Sequence, residues 1–208
     1  MRHWFVVHPD NPQARLLRQA VSIIENGGIV VYPTDSGYAL GCGLGHRDAC
    51  ERIRNIRNLR QEHYMSLVCR DLSDLGQYAN VSKPIFRLLK ALTPGAYTFI
   101  LNASANLPKM MYHPKRRTLG LRVPNHSVTW ALLEMQGAPM ISTTLSLPGM
   151  EVPLSEPQAI AELLGNQVDL ILDIGHCPHE PTTVVDLTAD YPKVIREGKG
   201  DCKPFREI

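Results

Sequence analysis

The chain has 208 residues, 44% of them hydrophobic and 20% charged, with 15 Gly and 16 Pro scattered rather than clustered. That composition excludes disorder, a collagen-like repeat and a coiled coil, and it predicts a single domain over residues 1–208. A formal charge of +2 is too small to require a polyanionic partner, and no apolar run exceeds four residues, far below the roughly 20 a membrane helix needs. Five widely spaced cysteines without a CxxC, behind an N-terminus too weakly apolar for a leader, predict reduced thiols in the cytoplasm and no membrane partner.

Asn11-Pro12 opens a first helix, and Leu16, Leu17, Ala20, Val21, Ile23 and Ile24 give it an apolar face over 12–26 until Gly27-Gly28 stops it. Ile29–Tyr32 then reads as a buried strand ended by Pro33, the turn Pro33-Thr34-Asp35-Ser36-Gly37 follows, and Tyr38–Cys42 is a second strand. Ala49, Ile53, Ile56 and Leu59 recur at helical spacing over 47–59, and Met65–Cys69 reads as a strand. Ser82 and Pro84 start a helix that runs to Leu92 and stops at Thr93-Pro94-Gly95, after which Tyr97–Leu101 is extended and 102–117 is a polar loop. Thr118–Val123 is a strand, Ser127–Met135 a helix, and Met140–Thr143 a strand. Ser155 and Gln158 suggest a capping box around Pro157 for a helix ending at Leu164. Val168–Leu172, Thr183–Leu187 and Lys193–Arg196 complete about eight strands. Helices interleaved with strands predict an α/β sheet covered by helices on its faces.

Three segments concentrate positive charge: 52–70, 109–122 and 193–206. Their arginines at element ends, Arg57, Arg122 and Arg196, are placed to line a cleft and hold an anion in a planar fork. Gly41, Gly43 and Gly45 lie between a strand and a helix, but GxGxG is not a dinucleotide fingerprint and no Walker lysine follows, so a conformational role is expected. His176, Cys177 and His179 hold three metal-type side chains within four residues, yet no second cluster accompanies them and the stretch reads as a surface loop. No nucleophile elbow, HExxH or carboxylate pair is present, so no catalytic side chain is assigned.

The segment GGIVVYPTDSGYALGCG resembles the opening motif of the YrdC/YciO family, a strand leading into PTDT-Y-GLG. TPGAYTFIL, TLGLRVPNH, PMISTTLSLPG and PTTVVDLTADYPKVIREGKG resemble that family's later motifs in the same order, so the likeness covers about residues 15–200. Overall length and the GYALGC variant are most similar to the YciO branch. The resemblance implies an α/β domain built on a large twisted mixed sheet with a basic concave cavity. It implies threonylcarbamoyl-AMP synthase-like nucleotidyl transfer. In that reaction L-threonine and bicarbonate give a carbamate that attacks the α-phosphorus of ATP, with Mg²⁺ on the phosphates, and the product feeds N6-threonylcarbamoyladenosine formation in tRNA. Some relatives are described as binding double-stranded RNA.

Matched motif by motif, Ser36, Arg122, Thr143 and Thr182 fall on substrate-contacting positions, and Arg57, Thr98, Thr144, Ser146 and Arg196 on nucleotide-contacting positions. Lys115, Arg116 and Arg117 are candidates for a phosphate or RNA surface. Two motifs depart from the synthases. Their Lys-x-Arg reads Arg57-Asn58-Leu59 here, with Arg60 available as a substitute cation, and their Ser-x-Asn reads Thr144-Leu145-Ser146. Losing a group that stabilises developing phosphate charge costs on the order of 10²–10³ in rate, so slow synthesis is expected. The alternatives are a non-catalytic module binding a nucleotide or double-stranded RNA, and an enzyme hydrolysing a related adenylate.

Overall fold

A computed structural model describes residues 3–60, 65–73, 75–105, 107, 116–189 and 191–205. Its strands are β1 (His3–Val6), β2 (Val30–Thr34), β3 (Gly37–Gly43), β4 (Ser66–Val68), β5 (Ala79–Asn80), β6 (Tyr97–Ala103), β7 (Thr118–Arg122), β8 (Met140–Thr144), β9 (Leu170–Asp173), β10 (Thr183–Asp186) and β11 (Lys193–Arg196). Its helices are α1 (Ala14–Glu25), α2 (Arg47–Arg57), α3 (Leu75–Tyr78), α4 (Lys83–Leu92), α5 (Ser127–Gln136) and α6 (Pro157–Leu164). The strands form one mixed sheet in the order β1-β9-β2-β3-β8-β4-β7-β6-β10-β11, with β5 pairing β6. No helix among the described residues is long and apolar enough to cross a membrane.

Alternation along the strands decides what covers each face. One face presents Val31, Leu40, Cys42, Ile141, Leu67, Leu121, Phe99 and Val185, with Val31 opposite Leu40 and the row from Cys42 to Val185 in adjoining register positions. Ala49 and Ile53 of α2, Ile160 and Leu164 of α6, and Leu89 of α4 belong to the apolar clusters there. On the other face, Leu17, Val21 and Ile24 of α1 and Val128 and Leu132 of α5 cluster with Val30, Tyr32, Ala39 and Leu170. These two helices cover the β9-β2-β3 side and reach only the ends of β8 and β4, at Met140 and Val68. Beyond it, that same face carries Ser142, Ser66, Gly120 and Ile100, one per strand across β8, β4, β7 and β6.

Tyr32 ties the covered half to the uncovered one. Its ring passes beneath Gly41, where an added β-carbon would lie 2.7 Å from Cε1, and its hydroxyl donates to Ser142 Oγ at 2.6 Å. Gly41 is thus needed for close approach inside β3 and not for a special backbone conformation, while of the three glycines Gly45 has the positive φ; burial pushes the Tyr32 phenol up to about 12.

The helix ends explain the differences from the sequence reading. Ser82 Oγ accepts from Ile85 N with Pro84 in the first turn, as the pattern predicted. The expected capping box of α6 does not form. Glu156 occupies the N-cap without a side-chain cap bond; its carboxylate bonds His176 instead, while the Ser155 carbonyl accepts from Cys177 N. The first helix starts later than expected, at Ala14, with Gln13 as N-cap. Strand β1, α3 and β5 were not anticipated. The parallel pairing of His3–Val6 with Leu170–Asp173, and the bond from Trp4 Nε1 to Asp173 Oδ2 at 2.9 Å, are long-range contacts with no local signature.

Candidate functional site

The uncovered half of the sheet floors a cavity of about 670 Å³. Ser142, Ser66, Gly120 and Ile100 supply its base; small side chains there leave the volume open. Thr98, Val184 and Arg196 form a second register row across β6, β10 and β11, and all three line the cavity. Arg57 enters from the end of α2 on the opposite face, Thr143, Thr144 and Ser146 from the end of β8, and Thr182 from the approach to β10. One arginine from each of the three basic segments therefore reaches a single cavity, at the size typical of small-molecule sites.

Each arginine is held by a different device. Arg122 is 6% exposed, and its Nη2 donates to Asp35 Oδ1 at 2.8 Å and to Ser36 Oγ at 2.9 Å. Asp35 also accepts from Asn125 N at 2.8 Å and, through its carbonyl, from Lys199 Nζ at 2.8 Å. The turn Thr34–Gly37 is itself closed by Thr34 Oγ1 donating to the Gly37 carbonyl at 2.7 Å. Nε of Arg122 is buried without a hydrogen-bond partner, so one donor of the guanidinium stays unsatisfied in a residue that lines the cavity. Arg57 donates through Nε to the Ser146 carbonyl at 2.8 Å and through Nη1 to Thr143 Oγ1, and burial lowers its affinity for the proton. Arg196 donates to the Thr182 carbonyl through Nε and Nη2, while the Thr182 and Thr98 hydroxyls bond each other at 2.8 Å.

Eight of the nine side chains assigned to substrate or nucleotide, Arg57, Thr98, Arg122, Thr143, Thr144, Ser146, Thr182 and Arg196, line this cavity. Ser36 is not in the lining and touches it through its bond to Arg122. Arg60 is not in the described lining either, and Leu59 packs against the apolar cluster of α2, which turns that position away from the cavity. Arg116 and Arg117 are exposed before β7 and outside the cavity, and Lys115 lies outside the described residues.

Sequence reasoning missed three neighbours. Asp35 sat in view as part of the turn, but nothing local announced its pairing with Arg122 eighty-seven residues away. Glu151 lines the cavity from the segment after β8. The third, His179, corrects the surface-loop reading of 176–179. Cys177 is buried, with Sγ 3.8 Å from the Thr34 carbonyl, and His179 lines the cavity with Nδ1 buried and unpartnered. Burial holds its imidazole below the usual range; the Ser36 backbone pulls the other way, and the Arg196 and Arg122 guanidiniums add smaller pushes in the direction of burial. Among the described residues no group of three or more His, Cys, Asp or Glu could hold a metal ion.

Comparison with known proteins adds a lineage to this geometry. Residues 22–198 match the Sua5/YciO/YrdC family, described as Telomere recombination. The chain is 52% identical over 205 residues to the uncharacterized protein YciO of Escherichia coli strain K12, covering 99% of this chain and 100% of that protein. The E. coli YciO crystal structure superposes with a TM-score of 0.94. A threonylcarbamoyl-AMP synthase of Vibrio vulnificus strain YJ016 is 28% identical over 187 residues, covering 88% of this chain and 98% of the synthase. The P. abyssi Sua5 structure complexed with L-threonine shares the fold at a TM-score of 0.85 and 24% identity, covering 94% of this chain and 57% of that one.

Proposed function

The chain belongs to the Sua5/YciO/YrdC family, and from that premise we propose that its cavity binds L-threonine and ATP and forms threonylcarbamoyl-AMP from them with bicarbonate. The observation that carries this reading is the convergence of Arg57, Arg122 and Arg196 with seven threonine and serine side chains on one cavity. Arg122, fixed on one side by Asp35 and Ser36, offers the guanidinium that lines the cavity to the threonine carboxylate. Arg57 and Arg196 stand where phosphate charge collects, and Thr98, Thr143, Thr144, Thr182 and Ser146 offer hydroxyls to phosphate and sugar oxygens. The reaction needs no protein nucleophile, because the carbamate oxygen attacks phosphorus directly; positioning and charge are what the residues contribute.

Mg²⁺ suits such a lining as an ion carried on substrate phosphates, with Glu151 the carboxylate in the described lining and water completing its shell. When bound there it would offset the charge of the phosphates.

A second reading, a nucleotide held without efficient turnover, is favoured by Leu59, whose side chain is committed to the apolar core where synthases carry a cation. One assay separates the two. Purified protein is incubated with ATP, Mg²⁺, bicarbonate and L-threonine, and pyrophosphate and threonylcarbamoyl-AMP are followed beside an Arg122→Ala control. Threonine-dependent product that disappears in the control supports synthesis. Nucleotide binding without pyrophosphate supports the second reading, and neither binding nor product refutes both.

A further inference from the structure

We propose that His179 is the proton acceptor for the α-ammonium of the amino acid whose carboxylate Arg122 holds, an inference that rests on the reading above. Three observations lead to it. His179 lines the cavity; its Nδ1 is enclosed without a partner, 3.2 Å from where a β-carbon on Gly37 would stand; and Gly37 follows Ser36, whose hydroxyl bonds Arg122. The left-handed φ of +112° at Gly37 and its missing side chain are what let the imidazole sit against the turn. With Nδ1 closed off by that backbone, Nε2 is the ring nitrogen left for a ligand.

An α-amino acid brings two charges about one residue-width apart. The carboxylate has Arg122, but the ammonium entering a cavity with three guanidiniums needs an acceptor close to Arg122. A neutral imidazole supplies a lone pair without adding positive charge. Burial and the two flanking arginines keep His179 in that neutral form. The charges that act on it are Arg196 from β11 and Arg122 from β7; the other charged and titratable groups of its surroundings are the Asp35 paired to Arg122, Cys177 and Glu180 of its own segment, the Lys199 paired to Glu180, and Glu151 in the same cavity lining.

The chemistry needs this transfer because an ammonium has no lone pair. One proton passes from nitrogen to Nε2; the freed amine pair forms the N–C bond to carbon dioxide derived from bicarbonate. A second N–H proton then leaves to water as the carbamate forms, and the imidazolium returns its own proton to solvent. Positioned proton transfer of this kind is worth about 10²–10⁴ in rate.

The test measures L-threonine affinity by calorimetry from pH 8 to pH 5 for the wild type and His179→Gln, with circular dichroism confirming the fold of each. Protonated His179 repels the ammonium, so wild-type affinity falls about threefold or more as the pH drops, and His179→Gln stays within about twofold. A second measurement needs no variant: the analogue in which a hydroxyl replaces the amine binds the wild type with no such fall. An unchanged pH slope in His179→Gln, or the same slope with the hydroxy acid, overturns the proposal while leaving the family reading intact; no L-threonine binding at any pH overturns that reading as well. In the synthesis assay His179→Gln lowers kcat by about 10² at pH 7, and the deficit narrows toward alkaline pH, where threonine's amine is already free. A loss equal at every pH, with a raised KM, would mean His179 only shapes the cavity and would refute proton acceptance.

Discussion

Replacing Asp35 by Ala tests the device on which the site's geometry rests. Asp35 and Arg122 are each 7% exposed at the side chain and pair at 2.8 Å, so their charges attract with little help from water and are costly to separate. Asp35→Ala leaves a buried guanidinium whose Nη2 retains only the Ser36 hydroxyl and whose Nε has no partner. Breaking one side of a buried pair costs about 3–5 kcal/mol. Asn125 adds little, since it is exposed and water can take over its N–H. The lower end, about 3 kcal/mol, is therefore expected, equivalent to a Tm lowered by about 6–12 °C for a chain of this size. Urea denaturation of the wild type, Asp35→Ala, Arg122→Met and the double variant closes a cycle. Removing both charges relieves the stranded one, so the double variant should be at least about 2 kcal/mol more stable than the sum of the singles predicts. A loss under about 1 kcal/mol for Asp35→Ala, the level of an exposed pair, or additive singles would refute the claim that this pair is buried and mutually dependent.

Gly41→Ala sets a methyl group 2.7 Å from the Tyr32 ring and should cost about 1–3 kcal/mol in the same denaturation assay, whereas Tyr32→Phe, which only strips the donor from Ser142, should cost about 1 kcal/mol. Leu59→Arg, which restores the synthase-like cation in sequence, should destabilise the fold and leave pyrophosphate release no faster, because position 59 faces the apolar cluster. His126 caps α5 by accepting from Val128 N at 3.3 Å, and burial lowers its titration range in the folded state. The unfolded chain takes up the proton first, so stability is complete above about pH 6.5 and declines as the pH falls through the folded-state value; His126→Asn keeps a cap and should flatten that decline in denaturation at pH 8 against pH 5. A thiol reagent should modify Cys202 in the native protein and reach buried Cys42, Cys50, Cys69 and Cys177 only on unfolding; rapid reaction of more than one thiol would contradict the packing.

Strand and helix positions were legible wherever the pattern is local. The alternation Leu119-Gly120-Leu121-Arg122 places leucines on the core face and Gly120 and Arg122 on the cavity side, and Ser82-Lys83-Pro84 caps α4 as its composition requires. Local pattern fails where a residue has two possible partners. Ser155 looked like a helix cap, but its carbonyl is engaged by Cys177 N and the neighbouring Glu156 carboxylate by His176. The same irregular segment from Gly175 to Thr182 that spoils the capping box brings His179 against Gly37, so one long-range packing decision accounts for both misreadings.

Eight of the residues that line the cavity were legible from motif likeness, most of them on motifs at strand ends, where register fixes direction. The companions Asp35, Glu151 and His179 were not, since each acquires its role only when the sheet brings distant segments together. Why a cavity exists here at all follows from coverage. Helices α1 and α5 supply enough apolar surface for Val30, Tyr32, Ala39 and Leu170, and no helix among the described residues lies over Ser142, Ser66 and Gly120. A sheet face left uncovered must be polar to be stable in water, and small to stay open; serine, threonine and glycine meet both demands. The arginines then rim that floor rather than cross it, with Arg57 reaching around from the opposite face and Arg196 from the far end of the sheet. Substituting Ser66 by Leu should accordingly leave the fold intact and fill the floor beside Gly120, lowering nucleotide affinity about tenfold or more in a binding titration; unchanged affinity would show that ligands do not enter this half of the sheet.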